Sequence, residues 1–356
     1  MLRFFLMVFG MFLMLDSASA NEESVVSLFE DADFRKDTKN EPTKDESGIF
    51  SFFNFSVPDK LFSSDSSSEA KDLTIQETIK LADRGDLKAQ MLVGFSYLYG
   101  DNGLPVDYTK AFEYYAKAAL QNDPVALNNL GSLYYGGIGV KRDSAKAGHL
   151  FKKSADMGNH DAAVNIGFMH ASGNGARQDP ELALKYFESA LPGNSPAAKY
   201  MVGYAYFYGK HREKDYTKAA QLIKDAADAG FDEAQSIVAK IYLNGLGFPQ
   251  NYTSGVNYMH KAVKQGDTGS MMLLADILAE GKKYTKDPLY AHTLYNIAAV
   301  RGVAGASEKR NEIESKLKID EIMAAQKNAA TYKEELSEMT SYIRNTYGRN
   351  IGSYLD

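Results

Sequence analysis

The apolar positions of this chain recur at helical spacing in short segments, and the segments themselves repeat along the sequence. Two columns of small residues mark the repeat. One is a glycine that follows an apolar segment, and the other is a small residue inside the next segment. The columns comprise Gly100, Gly137, Gly173, Gly209, Gly245 and Gly281, and Ala111, Ala147, Ala183, Ala219, Gly255 and Ala291. The second column keeps an interval of 36 residues, which predicts six helix–loop–helix units over residues 85–302.

Each column has a structural reason. A glycine directly after a helix takes the left-handed conformation that ends the helix. Aspartate or asparagine stands four residues before each member of the second column, where its side chain would cap the second helix of the unit. These residues are Asp107, Asp143, Asp179, Asp215, Asn251 and Asp287. Because two helices of about a dozen residues cannot bury their apolar faces alone, the units are expected to stack into an all-α solenoid.

The segments on either side of the six units are predicted to cap the solenoid. Residues 71–84 are expected to form an N-terminal capping helix. Beyond the repeats, two apolar rows run at intervals of seven, namely Ile322, Ala329, Leu336, Ile343 and Ala325, Tyr332, Met339. This pattern predicts a longer C-terminal helical region over 303–346, broken if anywhere near Lys318–Asp320, which either caps the last repeat or forms a coiled coil with a partner helix or a second copy. Residues 347–356 form a tail for which the sequence predicts no structure.

The first 20 residues have the pattern of a secretory signal peptide. Arg3 precedes an apolar run from Phe4 to Leu15, and Ala18 and Ala20 supply small residues at the expected cleavage site. The apolar run is too short to cross about 30 Å of hydrocarbon as a helix, and no later stretch is long and apolar enough to do so. The sequence therefore predicts an exported protein without a transmembrane span.

Residues 21–70 differ in composition from the repeats. They carry 12 acidic and 5 basic residues and are rich in serine, a composition that predicts disorder. Within them, residues 49–62 form an island rich in phenylalanine. The island could bind a groove on the solenoid of the same chain or an outside partner, and composition does not separate these alternatives.

Two segments show the repeat most clearly. Asp107–Ala119 reads DYTKAFEYYAKAA, and Ala126–Val140 reads ALNNLGSLYYGGIGV. They resemble Sel1-like repeats, which are relatives of the tetratricopeptide repeat, and the resemblance extends over roughly 85–302. It implies protein–protein scaffolding rather than chemistry. Exported bacterial members of this family are similar to adaptors of envelope signalling, to factors that act at the outer membrane and to virulence proteins.

The composition and motifs of the chain argue against most kinds of catalytic site. The chain has no cysteine, so it has no disulfide, thiol nucleophile or Cys-based metal site. Its six histidines form no His-x-x-x-His pair, and no Gly-Lys-Ser/Thr follows its glycine loops. A net charge of −6 argues against nucleic-acid binding. We therefore expect no enzyme activity, no metal and no cofactor.

Two loops depart from the repeat pattern by gaining positive charge, one over residues 209–215 and one over residues 281–287. They form either a shared patch that accepts an acidic partner or lipid headgroups, or two solvated loops. Residues from these loops and from the first helices are the candidate partner contacts. They are Tyr99, Asn129, Asn165, Lys210, Arg212, Lys282 and Lys283.

The predicted function is an exported, non-enzymatic scaffold or adaptor in the bacterial envelope, at the periplasm or outer membrane, with a protein as its partner and a role in virulence or envelope signalling. A homodimer through the C-terminal helix is a further expectation. The alternative is a secreted or surface-exposed effector that binds host components. An adaptor of the endoplasmic reticulum is the weakest reading, because the chain carries sequons at Asn54 and Asn251 but no retention signal.

Overall fold

A computed structural model describes residues 73–356 of the protein. The predicted signal peptide, the acidic segment 21–70 and its aromatic island 49–62 lie outside these residues. Within the described part, sixteen α-helices and two short 3₁₀ turns account for the regular structure, and there is no strand. The prediction of an all-α solenoid is thus confirmed. None of the helices in this range has the length and hydrophobicity needed to cross a bilayer.

A single helix, α1 (Ile75–Asp83), precedes the repeats and lies within the segment predicted to cap them. Six helix pairs follow. The first helices are α2 (Leu87–Tyr99), α4 (Pro124–Gly136), α6 (His160–Ser172), α8 (Pro196–Tyr208), α10 (Asp232–Asn244) and α12 (Thr268–Glu280). The second helices are α3 (Tyr108–Ala119), α5 (Ser144–Asp156), α7 (Pro180–Ala190), α9 (Tyr216–Asp228), α11 (Tyr252–Lys264) and α13 (Pro288–Val300).

The helix ends follow the predicted columns. All six first helices end at a glycine in the left-handed conformation. All six second helices begin at the predicted Asp or Asn, whose side-chain oxygen accepts a backbone N–H of the first turn. Five of the six first helices also have a side-chain N-cap, and α10 is the exception, because the cap position is occupied by Phe231.

Small residues inside the first helices allow the two helices of a repeat to pack closely. A Cβ placed on Gly131 of α4 would lie 2.8 Å from the Phe151 ring of α5, and one on Gly167 of α6 would lie 2.8 Å from the Phe187 ring of α7. Both phenylalanines are fully buried. The rings thus occupy the space that a larger residue would need. This explains a further column of small residues, which stands six residues before each loop glycine and comprises Gly94, Gly131, Gly167, Gly203, Ala239 and Ala275.

The C-terminal region contains three helices, α14 (Ala306–Glu314), α15 (Ile319–Thr331) and α16 (Glu338–Tyr347), followed by a 3₁₀ turn over Ile351–Leu355. The break between α14 and α15 lies beside Lys318, where the sequence allows one, whereas the break between α15 and α16 corrects the prediction of a continuous helix beyond that point. α14 and α15 pack on α13 and cap the last repeat. Residues 332–337, which have no regular secondary structure, separate α15 from α16, so neither row of heptad positions is continuous. The rows break because Tyr332 and its neighbours form contacts with the preceding repeats instead.

Candidate functional site

The last 25 residues of the chain, 332–356, lie against the repeats, and we call them the C-terminal segment. From α15 the segment runs back from the junction of repeats five and six to repeat three. It contacts a surface formed by residues of the first helices α6, α8 and α10, which we call the first-helix surface. This surface comprises Asn165, Phe168, Tyr200, Tyr204, Asp232 and Glu233.

The segment begins with backbone pairing. The Glu335 N–H donates to the Lys264 carbonyl at 2.8 Å, and the Ser337 N–H donates to the Gln265 side-chain oxygen at 2.9 Å. The Ser337 hydroxyl donates to the Gly230 carbonyl at 2.8 Å. Two of these bonds end on backbone carbonyls at helix ends, those of Lys264 and Gly230.

Thr340 completes the N-terminus of α10. Its Oγ1 accepts the Asp232 N–H at 3.1 Å and donates to the Gly230 carbonyl at 3.1 Å. The first turn of a helix leaves backbone N–H groups without an intrahelical partner, and an N-cap side chain normally accepts one of them. Since Phe231 cannot do so, a hydroxyl from the far end of the chain takes this role, and Thr340 is fully buried.

A buried ion pair lies beside this cap. The Arg344 guanidinium contacts the Asp232 carboxylate at 2.5 Å, and the side chains are 11% and 3% exposed. One guanidinium nitrogen, Nη1, makes no hydrogen bond, and the nearest oxygen of Glu334 lies 3.9 Å away. Removing one partner from such a pair leaves an uncompensated buried charge, so the pair fixes the position of α16.

Glu233 binds the backbone that follows α16. Its carboxylate accepts the Asn350 N–H at 2.5 Å and the Tyr200 hydroxyl at 3.1 Å. Burial raises the pKa of Glu233 to about 7, while the bond from Asn350 opposes that shift. A carboxylate that titrates near neutral pH therefore lies under the C-terminal segment.

Tyr347 ends α16 on repeat three. Its ring stacks on Phe168 with centroids 3.7 Å apart, and its hydroxyl donates to Asn165 Oδ1 at 3.2 Å. The Asn165 amide in turn donates to Asn128 Oδ1 at 3.0 Å. Burial raises the pKa of the Tyr347 hydroxyl well above its ordinary value.

A cavity of about 150 Å³ lies next to Tyr347. Its wall combines residues of repeats two and three with residues of the C-terminal segment. They include Tyr135, Phe151, Asn174, Thr346 and Tyr354. The segment therefore does not fill the whole space between itself and the repeats.

The carboxyl end of the chain is anchored on repeat four. Ile351 and Leu355 are fully buried, and the Leu355 carbonyl lies 3.1 Å from His211 Nε2. His211 has a φ of 53°, at a loop position where three other repeats have a left-handed glycine. The Lys210 ammonium pairs with the Asp356 side chain at 2.8 Å.

The predicted contact residues fall into separate places. Asn165 and Lys210 both contact the C-terminal segment. Asn129 is almost fully buried between repeats, and Tyr99 is half-buried with its ring tilted by 42° against that of Phe95. Arg212 forms a bidentate ion pair with Glu188, in which Nη2 and Nε donate to the two carboxylate oxygens at 2.7 and 3.0 Å.

The two basic loops behave differently. Lys210 and Arg212 in the fourth repeat are already paired with carboxylates of the same chain. Lys282 and Lys283 in the sixth repeat are exposed, and Lys283 lies over the Tyr252 ring. The loop of the fourth repeat is thus part of the C-terminal contact, whereas the loop of the sixth repeat is a solvated one.

Sequence reasoning missed the C-terminal segment as a contact, although two signals pointed to it. The N-cap column of the first helices breaks at Phe231, and the glycine column of the loops breaks at His211. Both breaks are compensated by residues of the segment, Thr340 and Leu355. In these two places the break in a repeat column coincides with a contact from the C-terminal segment, whereas Lys283 departs from the same glycine column in a solvated loop.

Metal chemistry has no candidate in the part of the chain that the structure describes, where no three His, Asp or Glu side chains are grouped to hold an ion. The first-helix surface presents aromatic rings, two carboxylates and the N-terminus of α10. These features bind polypeptide.

The fold and this surface define a helical-repeat protein whose repeats hold a segment of their own chain. Comparison with protein families finds the Sel1 repeat at residues 87–123, 124–159, 160–191, 196–231, 232–267 and 269–302. The matches cover more than half of the chain, so the protein belongs to the Sel1 repeat family. Members of this family generally mediate protein–protein interaction, and the family fold is typically a non-enzymatic scaffold.

Three solved structures are similar to this chain to different degrees. A Sel1 repeat protein from Oxalobacter formigenes is 25% identical, with a TM-score of 0.54, over 70% of this chain and 98% of that one. A protective antigen with an SLR fold from uropathogenic Escherichia coli is 21% identical, with a TM-score of 0.37, over 76% and 73% of the two chains. An immunity protein from Pseudomonas aeruginosa is 20% identical, with a TM-score of 0.31, over 63% and 83%. Comparison with curated proteins finds no match.

Proposed function

We propose that this protein is an exported, non-enzymatic scaffold that binds a protein partner in the bacterial envelope, at the periplasm or outer membrane, in support of virulence or envelope signalling. The observation that carries the binding role is the first-helix surface, on which three consecutive repeats hold a polypeptide segment through stacking, a buried ion pair and a helix cap. Membership of the Sel1 repeat family supports the same role.

The location rests on the sequence of residues 1–20, which combines a basic residue, an apolar run and a small-residue cleavage site. The alternative is a secreted or surface-exposed effector that binds host components. A homodimer through the C-terminal helix finds no support, because Ala325 and Ile343 of the two heptad rows are buried within their own chain.

Cross-linked co-purification tests the proposal. The tagged full-length protein is expressed in its native cells, and the periplasm, the outer membrane and the medium are fractionated separately. We expect cleavage near Ala20, recovery in the envelope fraction and one envelope protein cross-linked in comparable amount. Recovery of the protein alone, mostly in the medium, would contradict the envelope role and favour the effector.

A control variant separates the binding surface from the rest of the solenoid. Phe168→Ala with Asn165→Ala removes the aromatic platform and its hydrogen-bond acceptor. Lys282→Ala with Lys283→Ala removes two exposed cations of the sixth repeat. The first variant is expected to lose the cross-linked protein and the second to keep it.

A further inference from the structure

We propose, on the basis of the proposed scaffold function, that the first-helix surface of repeats three to five is a binding site for an amphipathic helix of a partner protein, and that α16 is a built-in occupant of that site. The partner helix displaces α16 by presenting the same kinds of side chain at the same spacing along its own length.

The side chains by which α16 contacts the repeats lie at helical intervals. Thr340 caps α10, Ile343 is fully buried, Arg344 pairs with Asp232, and Tyr347 stacks on Phe168. Their positions are i, i+3, i+4 and i+7, which is the pattern by which a helix lays one face into a groove. The site therefore selects a hydroxyl, an aliphatic group, an arginine and a tyrosine in that order.

The contact has the character of an interface rather than of a domain core. It combines a tyrosine and an arginine as central anchors with hydrogen bonds to Asp232, Glu233 and Asn165. Interfaces between proteins are enriched in tyrosine and arginine. By contrast, the buried residues between the repeats are largely apolar, with alanine, leucine and isoleucine the most frequent.

The fit of α16 is also incomplete. A cavity of about 150 Å³ remains beside Tyr347, and Arg344 Nη1 is buried without a hydrogen bond. An unpaired buried donor lowers the affinity of the bound state. A partner helix that fills the cavity, or that carries an acceptor for the buried donor of its own arginine, would bind more tightly than α16 does.

The connection to α15 permits exchange. Residues 332–337 have no regular secondary structure, and Lys333 and Leu336 within them are exposed. They are held on the repeats by the ion pair of Glu334 with Arg301 at 2.8 Å and by the bond from the Glu335 N–H to the Lys264 carbonyl. When α16 leaves its site, this anchored stretch acts as a tether that keeps α16 at a high effective concentration nearby. α16 therefore competes with an external helix for the surface. A partner helix binds only if its affinity is high enough to displace α16.

A synthetic peptide with the sequence of residues 335–356 serves as the probe, carrying a fluorophore at its N-terminus. The receptor is the full-length protein in three forms. The first is the wild type. The second is Arg344→Ala with Tyr347→Ala, which weakens the built-in helix and leaves the surface intact. The third is the matched control Lys327→Ala with Lys333→Ala, which changes exposed residues of α15 and of the tether.

We expect the weakened form to bind the peptide at least about tenfold more tightly than the wild type or the control. A peptide that itself carries Arg344→Ala and Tyr347→Ala should not bind, and Phe168→Ala added to the weakened form should abolish binding. A folded weakened form that does not bind the peptide would overturn the proposal. A weakened form that dimerises in sedimentation analysis would overturn it as well, since the occupant would then be a second copy.

Because the chain contains no cysteine, two introduced cysteines can be cross-linked specifically, which gives a second experiment. Lys210→Cys with Asp356→Cys, joined by a short bismaleimide, holds the segment closed, and the unjoined form is its control. The joined form is expected to lose binding both of the peptide at high concentration and of the cross-linked partner. This arm uses the native α16 sequence, so it decides the question even where the weakened form does not fold.

The outcomes also separate this inference from the function on which it rests. Equal capture of an envelope protein by the wild-type, weakened and joined forms would leave the scaffold standing and overturn the helix site. Peptide binding by the weakened form with no captured protein in any form would support the helix site and contradict the envelope scaffold.

Discussion

Thr340 supplies the N-cap that Phe231 leaves vacant, although 109 residues separate them in the sequence. In the other five first helices the cap residue directly precedes the helix. Phe231 is instead fully buried and packs against Tyr200 with ring centroids 4.8 Å apart. The fifth repeat thus gains an aromatic contact at the position where it gives up a cap, and the C-terminal segment restores the hydrogen bond.

Substitution of Thr340 should therefore weaken the fold. Thr340→Val keeps the shape but removes the hydroxyl, and loss of an N-cap costs about 1 kcal/mol of the free energy of unfolding. Thr340→Ser is expected to retain most of the stability. Denaturant unfolding of the full-length protein measures the difference, with the exposed Thr331→Val as the control. Equal stability of Thr340→Val and the wild type would show that solvent caps α10 equally well.

Glu233 should make the stability depend on pH. Its pKa is raised from 4.5 to about 7, so the folded protein binds a proton over this interval that the unfolded chain releases. The free energy of unfolding contributed by this group is thus present below pH 4.5 and is lost as the pH rises through about 7. The groups that face it are Asp232, Arg344 and the hydroxyls of Tyr200 and Tyr204.

Glu233→Gln isolates this contribution, because the amide keeps the shape and does not titrate. Unfolding curves between pH 4.5 and pH 8 are compared for the two proteins. The wild type should lose stability relative to the variant as the pH rises, and carboxylates elsewhere cancel in the comparison. A difference that stays constant with pH would mean that the Glu233 carboxylate is ionised throughout the range.

The small column of the first helices should not tolerate even one methyl group at its tightest positions. A Cβ on Gly131 would meet the buried Phe151 ring at 2.8 Å, so Gly131→Ala is expected to destabilise the protein by about 1–3 kcal/mol. Gly269→Ala is the matched control, since its Cβ would lie no closer than 3.6 Å to Asp267 and the helix favours alanine. Thermal unfolding should show a lower midpoint for the first variant alone.

His211 should hold the carboxyl end of the chain. His211→Gly relieves the left-handed backbone strain and removes the contact with the Leu355 carbonyl. We therefore expect little change in the midpoint of thermal unfolding but faster removal of Asp356 and Leu355 by carboxypeptidase. Mass spectrometry over a time course measures the trimming, and His149→Gly in α5 is the control for a histidine away from this contact. Identical trimming of all three proteins would contradict the role of His211.

Much of the fold could be predicted from the sequence because its causes are local and repeated. Left-handed glycines, Asp caps and small helix positions each act within one unit, and six copies of each signal reinforce one another. Asn165 and Lys210 could likewise be selected, because they occupy a first helix and a loop that departs from the pattern.

The C-terminal segment could not be predicted because its partners are distant. Tyr347 lies 182 residues from Asn165, and Arg344 lies 112 residues from Asp232. Neither contact repeats, so no column records it. The heptad rows predicted a coiled coil instead, because Ile343 and Ala325 are spaced as they would be along one continuous helix. In the structure, residues 332–337 interrupt that helix. Only the breaks at Phe231 and His211 carried information about the segment.

The pairing of Thr340 with α10 also sets an order of events during folding. The units of a solenoid contact only their neighbours, so earlier units need nothing from later ones. Here the cap of α10 forms only after Thr340 has docked, and until then solvent meets the first N–H groups of that helix. We therefore expect a stage in which repeats three to five are folded but uncovered. At that stage a helix supplied by another protein meets no competitor.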